Sequence, residues 1–84
     1  MPRPITLLYF AAVRDALGKS DEELALPAGV ATVAELSAFL EGRYPELSGR
    51  LSSVRFAVNE VFAEPHVTLA PGDVVAVIPP VSGG

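Results

Sequence analysis

The chain opens with a run that suits an extended strand. Residues 5–10 read ITLLYF, follow Pro2 and Pro4, and consist mostly of strand formers, with Thr6 as the one polar position. Alternation then sends Ile5, Leu7 and Tyr9 to one side and Thr6, Leu8 and Phe10 to the other. Residues 11–17 (AAVRDAL) change to good helix formers and stop at Gly18, which predicts one or two helical turns. Residues 22–26 (EELAL) are brief and run into Pro27-Ala28-Gly29, so they read as a strand returning beside the first.

The helical period is clearest after Thr32. This residue stands three positions before Glu35, the spacing of a capping box, and opens an apolar stripe at Val33, Leu36, Phe39 and Leu40. The stripe predicts a helix to about Tyr44, ahead of Pro45, with one face buried on a sheet. Residues 45–53 read as a loop. Residues 54–58 (VRFAV) alternate again, with Phe56 and Val58 inward and Arg55 outward. Asn59-Glu60 marks a turn before a short strand at Val61-Phe62. Pro71-Gly72-Asp73 is a second turn signal, and residues 74–78 (VVAVI) form the most strand-like run. A hairpin, a crossing helix and further strands give an α+β domain with a mixed sheet of four to five strands and one main helix on one face. The domain spans residues 1–78, and residues 79–84 form a free C-terminal tail.

Composition narrows the chemistry. Eighty-four residues make one small domain, and with no cysteine it must hold by packing, without disulfides or thiolate metal sites. Half of the residues are hydrophobic, enough for a core and for some exposed apolar surface. A net charge of −4 with only six dispersed basic residues argues against nucleic acid and for a basic protein surface as partner. No apolar run reaches the ~20 residues that cross a bilayer, and the first residues lack a secretory signal, so a cytoplasmic location is expected. His66, beside Pro65, reads as a surface loop residue, since no cysteine or second histidine completes a metal site. Glu22, Glu23, Glu41 and Glu46 read as solvated faces, Arg14 and Lys19 as solubilising charges.

The remaining candidate chemistry is at the C-terminus. Pro79-Pro80-Val81-Ser82-Gly83-Gly84 begins with two residues whose fixed φ favours an extended path and ends with two that lack a Cβ. Such an end fits a channel too narrow for other residues and places a carboxylate at its tip. An ionised carboxylate is a poor electrophile, so activation, for example as an acyl-adenylate, is needed before a nucleophile captures it. Ser82 has no neighbouring base and reads as a small, channel-compatible residue.

With this element order, the ending resembles the molybdopterin synthase small-subunit family, ubiquitin-like β-grasp sulfur carriers. The likeness covers essentially the whole chain. It rests also on Leu8-Tyr9-Phe10-Ala11-Ala12-Val13-Arg14, Thr32-Val33-Ala34-Glu35-Leu36, Ala57-Val58-Asn59 and Leu69-Ala70-Pro71-Gly72-Asp73-Val74-Val75-Ala76. The resemblance implies that an E1-like activating enzyme adenylates Gly84 with ATP and that sulfur transfer then makes a thiocarboxylate. It implies that the tail, Gly83 and Gly84 preceded by Pro79, Pro80, Val81 and Ser82, enters the large catalytic subunit. There the sulfur reaches precursor Z (cyclic pyranopterin monophosphate) in molybdenum cofactor biosynthesis. It further implies a non-catalytic carrier within a heterotetrameric sulfurtransferase, with no bound cofactor or metal, and an apolar docking patch at Phe10, Phe62 and Ile78. The tail chemistry is shared with β-grasp carriers for thiamin synthesis or tRNA thiolation and with ubiquitin-like protein modifiers, so these remain alternatives.

Overall fold

The computed structural model describes residues 3–80. Within them β1 (Ile5–Tyr9) is followed by α1 (Ala11–Leu17), β2 (Asp21–Leu24), α2 (Val33–Arg43), β3 (Arg55–Val58), β4 (Val61–Ala63) and β5 (Val74–Ile78). The five strands form one sheet in the order β2-β1-β5-β3-β4. β5 lies at its centre, parallel to β1 and antiparallel to β3, while β2 and β4 are antiparallel edges. This is the expected mixed sheet, at the upper end of the expected strand count.

The alternation in β1 is realised as read. Ile5, Leu7 and Tyr9 are buried, as are Val75 and Val77 on β5 and Phe56 on β3, and all face α2. The helix lays Val33, Leu36 and Leu40 onto them. At about 1.5–3 kcal/mol for each large apolar side chain, this stripe is the main attachment of helix to sheet. Its start has the predicted geometry: Thr32 Oγ1 accepts from the Glu35 amide at 3.2 Å, and Glu35 accepts in return from the Thr32 amide at 3.1 Å. Backbone hydrogen bonding holds Glu35 below the usual carboxylate range.

The turns explain themselves from residue type. Gly18 caps α1 at φ 71°, and its amide donates to Arg14 O. Gly72 sits at φ 87° after Pro71, in a turn closed by the Asp73 amide on Ala70 O, the positive-φ position that Pro-Gly supplies in a type II turn. Asn59 and Glu60 both adopt positive φ, 52° and 72°, and close the β3–β4 hairpin with a twist that matches its strands. The Asn59 side chain also accepts from the Val74 amide at 2.9 Å and donates to Asp73 at 3.0 Å, tying that hairpin to the start of β5.

Two boundaries differ from the sequence reading. The second strand spans Asp21–Leu24 rather than residues 22–26, because its ladder with β1 ends at the Ile5–Leu24 pair. The stretch read as loop contains 3-10 turns at Pro45–Leu47 and Leu51–Ser53. Leu47 and Leu51 are buried there and plug one end of the core. A single turn bearing a single buried leucine carries no periodicity to read.

Candidate functional site

β5 is the element that positions the site. It is the central strand of the sheet, paired to β1 and β3, and the chain leaves it at Ile78 directly into Pro79-Pro80. Pro79 is half-buried and Pro80 exposed. Both border a shallow groove between Ala12 and Val13 of α1 and the segment holding Gly49, Arg50 and Val54. The base of the tail is thus held against the body of the domain, and its direction is set by the sheet. Val81, Ser82, Gly83 and Gly84, including the predicted sulfur-carrying Gly84, lie outside the described residues.

The sheet face turned away from α2 carries the predicted patch residues. Phe62 is 63% and Phe10 43% exposed, while Ile78 is half-buried. Strand register shows what connects them. Leu8, Ala76, Ala57 and Phe62 are successive partners across β1, β5, β3 and β4, so they form one apolar row on this face. Ile78 and its partner Arg55 lie in the next row. Phe10 continues the extended backbone of β1 by one residue and, by alternation, takes the side of Leu8. The Arg55 guanidinium stands 5.6 Å from the Phe62 ring centroid, a cation–π distance that steadies an exposed ring.

Sequence reasoning omitted Ala57 and Ala76 from this face. Alternation in VVAVI already implies that Ala76 accompanies Ile78, and this signal was available. Val61, 68% exposed at the start of β4, pairs with Val58 and lies on the other face, the one turned toward α2.

The carboxylates correct one expectation. Glu22 is not on a solvated face: its Oε2 accepts from Tyr9 Oη at 2.5 Å and from Tyr44 Oη at 2.6 Å, and Lys19 Nζ reaches its Oε1 at 3.4 Å. Alternation on β2 turns Glu22 toward the core side, while Asp21 and Glu23 face out and are exposed. Partial burial pushes the Glu22 carboxyl up, but the donors from Tyr44, Tyr9 and Lys19 outweigh it and hold the group below its ordinary range. Burial and the neighbouring Glu22 push the Tyr9 phenol far above its own. Lys19 is likewise engaged rather than merely solubilising, donating to Tyr44 Oη at 3.1 Å. Glu41 accepts from the Gly49 amide at 3.1 Å and ties α2 to the following segment. The hydrogen bonds of the Glu22 cluster clasp β2 to β1 and to the end of α2, a structural role.

His66 is exposed as expected. Among the described residues no cluster of His, Cys, Asp or Glu is arranged to hold a metal ion, and no helix is long and apolar enough to cross a membrane.

Comparison with known proteins gives a consistent picture. The family model described as ThiS family matches residues 7–84. The chain is 36% identical over 80 residues to the molybdopterin synthase sulfur carrier subunit of Mycobacterium tuberculosis, covering 95% of this chain and 96% of that protein. It is 34% identical over 83 residues to the human protein of the same name, covering 95% and 93%. Among solved structures, a putative molybdopterin converting factor subunit 1 from Pyrococcus furiosus superposes with a TM-score of 0.81 at 30% identity, covering 94% of this chain and 99% of that one.

Proposed function

The chain belongs to the ThiS family, and from that premise we propose that it is the sulfur carrier subunit of a molybdopterin synthase. One observation carries the reading: relatives bearing that name match this chain over nearly its whole length and theirs, and the family match itself runs through residue 84. The fold supports it physically. A central strand that runs straight into two prolines sets the direction in which the chain leaves the body at Pro79-Pro80.

The chemistry follows from the carboxylate. An E1-like activating enzyme uses ATP to convert the Gly84 carboxylate to an acyl-adenylate with release of pyrophosphate. A sulfur donor then displaces AMP and leaves a thiocarboxylate. Glycine at positions 83 and 84 lets the end thread a narrow channel in the large catalytic subunit, where the sulfur passes to precursor Z. No cofactor binds to the carrier itself. Phe10, Phe62 and Ile78 form the docking face toward these partners, and Pro79 through Ser82 bridge the domain and the reacting end.

Intact-mass spectrometry tests the reading. After incubation with the activating enzyme, ATP and a sulfur donor, the chain gains the mass of one oxygen exchanged for sulfur, and the chain lacking Gly84 does not. Unchanged mass in the full chain, or undiminished molybdopterin synthesis without Gly84, overturns it. Formation of stable conjugates on lysines of other proteins, without dithiolene synthesis, would instead favour a protein modifier.

A further inference from the structure

The edge of the sheet at β4 is open in a specific way. Asn59 N donates to Val74 O, so the amides of Asn59, Ala57 and Arg55 point toward β5 and those of Val58 and Phe56 toward β4. Val58–Val61 and Phe56–Ala63 are therefore the hydrogen-bonded pairs of the hairpin, and Ala57–Phe62 is the open pair between them. The backbone N–H and C=O of Phe62 consequently face away from the sheet, toward its free edge. The same residue has an exposed aromatic side chain. Glu60 and Glu64 stand at either end of the strand, both exposed, and neither makes an ion pair or side-chain hydrogen bond among the described residues. On the helix side, this edge borders a groove lined by Val33, Ala34, Ser37 and Pro65.

We propose that β4 is a strand-addition site. An extended segment of the large catalytic subunit pairs with it antiparallel through the backbone of Phe62, continuing the carrier's sheet into its partner. This rests on the function proposed above. The geometry states what that segment must offer. Its side chains alternate, so one set lies beside Phe62 on the outer face and the other enters the groove beside Val33. Glu60 and Glu64 flank Val61–Ala63 on either side, so the segment carries basic residues on both sides of an apolar centre. The charge requirement agrees with the carrier's net charge of −4.

Hydrogen–deuterium exchange on the intact chain, alone and saturated with the purified large subunit, tests the proposal without a mutation that endangers folding. The expected result is that the Phe62 amide exchanges rapidly in the free chain and at least about tenfold more slowly in the complex. Replacing both acids (Glu60→Gln with Glu64→Gln) is expected to weaken association several-fold at low salt and to flatten its salt dependence. A complex that forms while the Phe62 amide still exchanges at its free rate overturns the strand addition and leaves the sulfur-carrier function standing. Protection that appears in the carrier alone and rises with its concentration overturns it too, since the occupant is then a second copy. No association at all overturns the strand addition, and the mass-spectrometric test then decides the sulfur-carrier function by itself.

Discussion

The two edges of this sheet face the same problem and answer it differently. β2 presents Asp21 and Glu23 outward, and its inward Glu22 is held by Tyr9 and Tyr44, so the strand is charged outside and fastened inside. β4 presents Val61 and Phe62, 68% and 63% exposed, and is fastened through its hairpin to β3 and the packing of Ala63. An unpaired edge invites association, and carboxylates are one of the usual ways to suppress it. The first edge is built to stay alone. The second keeps an apolar invitation between two acids, a combination that costs solubility unless a partner uses it.

Removing the fastening of the closed edge is the largest perturbation expected. Glu22→Ala leaves the Tyr9 hydroxyl, on a residue only 1% exposed, without its acceptor. A loss of about 2–3 kcal/mol in denaturant unfolding is expected, whereas the same substitution at exposed Glu23 stays within about 0.5 kcal/mol. Equal effects at the two positions would dissolve the contrast between clasped and solvated carboxylates.

Phe62→Asp tests the open edge by the opposite pattern. Stability should change by no more than about 0.5 kcal/mol, because little of the ring is buried, while affinity for the large subunit falls roughly thirtyfold or more in calorimetric titration. A variant that unfolds but still binds would show that Phe62 serves the fold rather than the interface.

Acid should loosen only the closed edge. Glu22 ionises at lower pH in the folded chain than in the unfolded one, so its stabilisation is complete above the ordinary glutamate value of 4.5 and is lost as pH falls through the folded value. The stability of Glu22→Gln should therefore fall less steeply than that of the parent below about pH 4.5, as read from urea midpoints across pH. Parallel curves would assign the acid sensitivity to other groups, Glu35 among them.

The smallest effect concerns the turn before the open edge. Glu60 occupies φ 72°, where a side chain costs energy that glycine avoids, so Glu60→Gly should raise stability by a few tenths to about 1 kcal/mol in thermal unfolding. The same change should weaken partner binding slightly through the lost charge. A destabilised variant would mean that the chain entropy added by glycine outweighs the strain removed.

Much of this was readable because it is local. The capping box at Thr32, the stop at Gly18, the Pro-Gly turn and the alternation of β1 each depend on residues within a few positions, where propensity and geometry agree. The Glu22 cluster was not readable, since its partners are 13 and 22 residues away in sequence and meet only when α2 crosses the sheet. Leu47 and Leu51 were missed for a related reason: each fills a hole left by distant elements rather than extending a pattern. For the candidate site, Pro79 and Pro80 could be named from the sequence, whereas the row joining Leu8, Ala76, Ala57 and Phe62 depends on strand order.

The sequence by itself determined the elements, the side most strand residues take, and an extended path at Pro79-Pro80, because these follow from backbone sterics and side-chain inventory. Only the tertiary structure decided that the strand leading into this tail is central, that one edge is clasped by Glu22 and that the other is left open at Phe62. Those facts depend on which strands become neighbours. Pairing between segments far apart in the chain is selected by burying the α2 stripe and the sheet face together, a free-energy gain that no short window of sequence contains.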